Sequence, residues 1–120
     1  MKIATGIIFY NDRDSLSRCL RSIHDNIDKI FAIDGRFPTF PDDSELSTDG
    51  SRRLVKSYSK CILVDYPRLE FDKRQKYLEL CREYRPDILI IIDSDEYILS
   101  EPVCYWGVFH ECLERMIIER

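Results

Sequence analysis

The stretch ILIIIDSDE, residues 88–96, decides the fold class of this chain. Its aliphatic run is far shorter than the roughly 20 residues that span a bilayer, and it has the length of a fully buried strand. Strands buried on both faces are typical of parallel sheets covered by helices. Asp93 and Asp95 follow this run directly, so we expect two carboxylates at the end of a buried strand.

The rest of the chain alternates between short apolar runs and apolar residues at helical spacing. The runs predict strands at residues 2–10, 30–33, 61–64 and 88–92. Helical spacing predicts a helix after Asp14, a short one ending near Tyr58, a third over 72–84 and a last one from about residue 100. Four alternations without an internal repeat indicate an α/β fold. The prediction is one domain over residues 1–120, with a parallel-type sheet of about four strands and helices on both faces.

Local signals predict where these helices begin and end. Asp14 is placed to cap the first helix, and Asp72 with Gln75 three residues later forms a capping-box pattern for the third. The third helix should end before Pro86, because proline cannot continue a helix. Residues 36–49 are rich in Pro, Asp, Ser and Thr, which predicts an exposed loop.

Composition limits the class of protein. The chain has 120 residues, a net charge of −4 and 33% charged residues, so it lacks the basic footprint of a nucleic-acid-binding protein. It shows no secretory signal, no transmembrane run, and five cysteines without regular spacing. Cys104, His110 and Cys112 could hold zinc, but a fourth ligand is missing. We predict a cytoplasmic protein with reduced thiols and no nucleic-acid partner.

Polar residues follow all four predicted strands, at the edge where parallel sheets bind their ligands. Turns also favour aspartate and asparagine for local reasons. Asp34 could accept hydrogen bonds from a ribose or a base, or could only cap a turn. Tyr10 could stack on a base, or could simply pack.

Asp93 and Asp95 are spaced to act together. In an extended chain, residues i and i+2 point to the same side, and two close carboxylates repel each other unless a proton or a cation intervenes. Mg²⁺ or Mn²⁺ takes carboxylate oxygens and shares its shell with a diphosphate. The spacing alone leaves a metal site and a solvated turn as open alternatives.

Three cations, Lys73, Arg74 and Lys76, lie at the predicted start of the third helix, where the helix dipole disfavours positive charge. An anionic ligand such as a pyrophosphate would offset this cost, and solvated surface charge is the alternative. The sequence has no glycine-rich phosphate loop, so neither a P-loop nor a dinucleotide site is supported.

In combination, these motifs resemble the N-terminal, nucleotide-sugar-binding half of family 2-type glycosyltransferases of the GT-A fold. The resemblance rests on FYN (9–11), AIDG (32–35), STDGS (47–51), KRQK (73–76) and IIIDSDE (90–96). The family usually runs the second and third of these together, whereas an inserted loop separates them here. The likeness covers residues 1 to about 100 in the family's order.

The resemblance implies that the chain binds a UDP- or GDP-linked sugar with a divalent metal, Mn or Mg, for transfer of the sugar to an acceptor. It implies that Tyr10 and Asp34 contact the base or ribose. Asp93 would contact the ribose or a metal-bound water, and Asp95 would be the direct metal ligand. Arg74 would also bind the nucleotide sugar.

Members of that family continue well beyond the acidic motif, and the second half supplies the acceptor pocket and the catalytic base. We therefore expect nucleotide binding with poor sugar transfer from this chain alone. A binding module that acts with a partner chain is the alternative, and a nucleotidyltransferase is disfavoured because its glycine-rich basic signature is missing. Apolar residues of the last predicted helix (Val103, Trp106 and Leu113) suggest a homo-oligomer or a further domain.

Overall fold

The computed structural model describes residues 1–38 and 44–98. The elements in chain order are β1 (Ile3–Phe9), α1 (Arg13–Ile23), β2 (Lys29–Asp34), α2 (Ser51–Lys56), β3 (Cys61–Asp65), α3 (Glu70–Tyr84) and β4 (Ile88–Ile91). Within these residues the strands form one parallel sheet in the order β3-β2-β1-β4. The predicted α/β fold is confirmed, but β4 is an edge strand in which Ile91 is 62% exposed, so the fully buried strand expected at residues 88–92 is wrong. The last predicted helix, with its cysteines and histidine, lies outside the described residues.

The strand register brings the carboxyl ends of the strands to one edge. Phe9 of β1 pairs with Asp34 of β2, and Asp34 pairs with Asp65 of β3. On the other side of β1, the last paired residue of β4 is Ile91, which lies opposite Gly6. β4 therefore stops before β1 does, and the chain that follows Ile91 reaches the same edge beside the last residues of β1.

Alternating side chains of β1 and β2 fill a core on each face of the sheet. On one face, Ile3 and Ile7 of β1 pack in a cluster with Leu16 and Leu20 of α1 and Val55 of α2. On the other face, the apolar cluster consists of Ala4, Phe31, Ile33, Tyr77 and Cys81. Helices thus cover both faces, as predicted. In the described part of the chain, no helix is long and apolar enough to cross a membrane.

The starts of two helices differ from the sequence prediction. α1 begins at Arg13 with Asp12 as its N-cap residue, so the Asp14 cap is wrong. α3 begins at Glu70, and Asp72 lies in its first turn, so the capping box is wrong as well. Acids in the first turn still favour the helix through its dipole. The predicted end of α3 is confirmed at Tyr84, where the next residue adopts a left-handed conformation.

The three described cysteines, Cys19, Cys61 and Cys81, are unpaired. Burial raises the pKa of Cys19 and of Cys61 to about 12, and that of Cys81 to about 11. A thiol with so high a pKa carries almost no thiolate at neutral pH, and the thiolate is the reactive form. These cysteines therefore pack as small apolar side chains.

Gly6 lets α3 approach the middle of the sheet. A Cβ atom built at Gly6 would lie 2.2 Å from Cγ of Tyr77, whose side chain is buried against β1. Cγ lies close to the helix backbone, so the clash is relieved only if Tyr77 changes its χ1 rotamer or α3 shifts. Any larger residue at position 6 would separate α3 from β1.

We predict that Gly6→Ala lowers the free energy of unfolding by about 2 kcal/mol, because it overpacks this contact. Urea denaturation measures the change. In a Tyr77→Ala background the same substitution should cost much less, since the ring it strikes is gone. Equal costs in the two backgrounds would contradict this explanation.

Candidate functional site

A cavity of about 370 Å³ opens at the carboxyl edge of the sheet. Its walls come from the segments that follow β1, β2 and β4 and from the first turns of α3. Its charged lining consists of Asp12, Glu70, Lys73, Arg74, Asp93 and Asp95. The volume falls within the range of about 300–1,000 Å³ that is usual for small-molecule sites.

The structure brings four of the five residues singled out from the sequence into this cavity. Tyr10, Arg74, Asp93 and Asp95 line it together. Asp34 is not part of the lining, and its exposed fraction is 0%. The cavity thus unites residues from β1, α3 and the segment after β4, whereas Asp34 lies beneath the surface.

The acidic pair lies in a tight turn and not in an extended strand. The backbone N–H of Glu96 donates to the carbonyl of Asp93 at 3.0 Å, and the N–H of Asp93 donates to Oε1 of Glu96 at 2.8 Å. The extended geometry assumed from the spacing is therefore wrong, and the turn is what directs Asp93 and Asp95 to one cavity. Ser94 Oγ donates to Oδ2 of Asp12 at 3.0 Å, which fastens this turn to the segment after β1.

The guanidinium of Arg74 lies between two acids near the N-terminal end of α3. Its Nη2 donates to Oε1 of Glu70 at 2.9 Å and to Oδ1 of Asp93 at 3.3 Å. The hydrogen bond to Glu70 is the main reason that the pKa of Arg74 is raised. Among the residues that the structure describes, none donates a hydrogen bond to the Asp95 carboxylate. Asp95 is thus the acid of the pair whose oxygens are open to a ligand.

Lys73 is a buried cation between α3 and the end of β2. Its exposed fraction is 2%, and its ammonium group donates a hydrogen bond to the carbonyl of Gly35 and lies 4.5 Å from the ring centroid of Phe37. Burial lowers its pKa, and Asp34, Asp12 and Glu70 partly oppose that shift. The sequence left an anionic ligand and solvated surface charge as alternatives for Lys73, and its burial excludes the second.

Other lining residues were missed by sequence reasoning as parts of a site. Asp12 and Ser94 were among the polar residues expected at the strand ends but had no individual role, and Phe37 and Glu70 had no assigned role. Phe37 belongs to the inserted loop, where no pattern in the sequence gives its position.

Asp34 connects the two halves of the motif that the inserted loop separates. Its carboxylate accepts hydrogen bonds from the N–H of Ser47 at 3.0 Å, from Oγ of Ser47 at 2.7 Å and from Nη1 of Arg52 at 2.9 Å. The same Nη1 donates to Oδ1 of Asp65 at 2.7 Å. Residues 34 and 47 are therefore adjacent in space, as they are in sequence in the family that the chain resembles.

We predict that Asp34→Ala lowers the free energy of unfolding by about 3 kcal/mol, because it leaves buried hydrogen-bond donors without an acceptor and removes the ion pair with Arg52. Urea denaturation checks the value. Asp65→Ala is the matched control: Asp65 pairs with the same guanidinium, but its side chain is 54% exposed. The control should cost less than about 1 kcal/mol, and equal effects would contradict the assigned role of Asp34.

The turn at residues 47–51 is bound to the segment after β1. Asp49 accepts hydrogen bonds from the N–H of Arg13 at 2.9 Å and from the N–H and Oγ of Ser51 at 3.0 and 2.5 Å. Asn11 donates its N–H to Oγ of Ser47. Burial alone would raise the pKa of Asp49, but the hydrogen bonds from Ser51 and Arg13 outweigh it and the pKa is lowered below its ordinary 3.8.

A lowered pKa in the folded state means that ionised Asp49 stabilises the fold above pH 3.8, and that this contribution is lost as the pH falls through the folded pKa. We predict that the difference in Tm between the wild type and Asp49→Asn is greatest well above pH 3.8 and shrinks as the pH falls below that value. Thermal denaturation at a series of pH values measures it. A difference that does not change with pH would refute the electrostatic part of this contact.

The described residues contain no group of three or more His, Cys, Asp or Glu side chains that could hold a metal ion. Asp93 and Asp95 supply two carboxylates from one turn to one cavity. Mg²⁺ is typically bound by one or two carboxylates together with substrate phosphates. The donor set therefore fits a cation that is shared with a ligand, and does not fit a closed structural site.

This fold is of the GT-A glycosyltransferase type, as comparison with solved structures shows. Structures of S. aureus TarS, a glycosyltransferase, match 92% of the chain with a TM-score of 0.57. The identity is 22% for TarS, 21% for TarS 1–349 and 22% for TarS 1–349 in complex with UDP. No family model and no curated protein matches the sequence.

The match covers 20% of TarS and 32% of the 1–349 structures. The chain therefore spans about a third or less of the solved chains that it resembles. At this level of identity the likeness establishes the fold, and the predicted GT-A-type architecture is confirmed.

Proposed function

We propose that this chain binds the nucleoside diphosphate of a nucleotide sugar, together with Mn²⁺ or Mg²⁺, as the donor-binding part of a glycosyltransferase. The observation that carries the proposal is the single cavity at the carboxyl edge of the sheet that Tyr10, Arg74, Asp93 and Asp95 line together. That edge is where parallel α/β sheets bind nucleotides. The UDP complex of TarS 1–349, which shares the fold, supports this ligand class.

The acids of the cavity have separate roles in this proposal. Asp95, which accepts no hydrogen bond from the described residues, is the direct ligand of the cation. Asp93 is paired with Arg74 at 3.3 Å and contacts the ribose or a metal-bound water. When bound, the cation neutralises negative charge that develops on the leaving diphosphate. Arg74 supplies a second positive charge to the same phosphates.

In this proposal, Asp34 contributes to nucleotide binding indirectly, because it positions the end of β2. Its carboxylate is fully buried and receives three hydrogen bonds from Ser47 and Arg52. Direct contact with a ribose or a base would require this buried carboxylate to become exposed to the cavity. As it stands, Asp34 fixes the end of β2 and thereby Gly35, which lines the cavity.

Nucleotide binding and sugar transfer are separate parts of the proposal. Among the described acids of the cavity, Glu70 forms an ion pair with Arg74, and Asp12 accepts a hydrogen bond from Ser94. The other two, Asp93 and Asp95, are assigned to the cation and the nucleotide. None of them stands as a free general base for an acceptor hydroxyl. The alternative is therefore a module that binds the nucleotide and acts with a partner chain, and an assay of transfer with the purified chain distinguishes the two.

We predict that Mn²⁺ increases the affinity for UDP by about tenfold or more in the wild type, and that Asp95→Ala removes this increase. The physical reason is that Asp95 holds the cation that bridges to the diphosphate. Isothermal titration with UDP, with and without Mn²⁺, measures both effects.

Asp25→Ala is the matched control for this experiment. It makes the same change of charge at an acid whose side chain is 82% exposed, beyond the end of α1 and away from the cavity lining. The control should keep the dependence on Mn²⁺. UDP binding that is insensitive to Mn²⁺ and to Asp95→Ala would overturn the metal site and favour a solvated turn.

A further inference from the structure

The inserted loop contributes an aromatic side chain to the cavity. Phe37 follows the end of β2, lines the cavity, and remains 37% exposed. An exposed aromatic ring in a concave site offers a flat apolar surface that a planar ligand can cover. Phe71 on α3 is even more exposed, at 70%, but it is not part of the lining.

The two ends of the cavity differ in chemistry. β2 and β4 flank β1 on opposite sides, and neighbouring strands are about 4.8 Å apart, so their ends are separated by about 10 Å. The acidic pair follows β4, whereas Phe37 follows β2. A diphosphate held by a cation at Asp95 therefore leaves the nucleoside to extend toward the end of β2.

Phe37 is held in place by its surroundings. The buried ammonium of Lys73 lies 4.5 Å from the ring centroid and also donates to the carbonyl of Gly35. The N–H of Arg36 donates to the carbonyl of Glu45 at 2.8 Å, and the hydroxyl of Tyr10 donates to the carbonyl of Ser44 at 2.7 Å. These contacts hold both described ends of the inserted loop in place, so the backbone that carries Phe37 has a defined position beside the cavity.

We propose that Phe37 is a base-stacking residue, on which the planar base of the bound nucleoside diphosphate lies. This inference rests on the proposed function and adds a contact from the inserted loop. Stacking recognises the π-face that every base possesses. Phe37 therefore contributes affinity for the nucleoside and none for the diphosphate alone.

The test compares two ligands that share the phosphates and differ in the base. UDP and inorganic pyrophosphate are titrated in the presence of Mn²⁺ into the wild type, Phe37→Ala, Phe37→Tyr and the control Phe71→Ala. Phe37→Ala should weaken UDP by about tenfold or more and leave pyrophosphate unchanged. Phe37→Tyr keeps the ring and should retain UDP affinity, and Phe71→Ala should bind both ligands as the wild type does.

Each other outcome overturns the inference in a distinct way. If Phe37→Ala binds UDP as well as the wild type does, stacking is wrong and the metal-dependent nucleotide site stands. If Phe37→Ala weakens UDP and pyrophosphate equally, Phe37 only shapes the cavity. If the wild type binds neither ligand, the proposed function fails, and the stacking role fails with it. Circular dichroism of each variant confirms that the fold is retained.

Discussion

The carboxylate of Asp34 is the buried charge on which the edge of the sheet depends. Removing a carboxylate from water is costly unless it is paired and hydrogen-bonded, and here Ser47 and Arg52 satisfy it. Arg52 in turn reaches Asp65 at the end of β3. One buried acid thus ties β2, α2 and β3 together, and fixes the path of the chain on both sides of the inserted loop.

The sequence predicts the sheet well because the information is local. Short apolar runs separated by helical segments define β1 to β4, and the rule for parallel sheets places their ends together. Tyr10, Arg74, Asp93 and Asp95 then meet without any special pattern in the connecting segments. Strand order and register bring the ends of the strands to one edge, and the turn at residues 93–96 and the start of α3 complete the cavity there.

What the sequence does not predict depends on contacts between distant segments. The pattern places Asp34 at the ligand edge, but its carboxylate is covered by contacts with residues such as Ser47, which follows the inserted loop. Lys73 reads as a surface cation beside Arg74, yet it is buried because α3 begins at Glu70 and turns that side chain toward Gly35. In both cases the competing interpretation was chemically reasonable, and tertiary packing decided the outcome.

The charges of the cavity bear on the proposed binding of a nucleoside diphosphate. Four acids and two cations line it, which leaves a formal charge of −2: Asp12, Glu70, Asp93 and Asp95 against Lys73 and Arg74. A bare diphosphate would add negative charge to this site, whereas a divalent cation balances the protein charge. Arg74 is already shared between Glu70 and Asp93, so a diphosphate would compete with these two acids for its positive charge. In the proposed complex, a divalent cation therefore supplies positive charge that Lys73 and Arg74 do not supply by themselves.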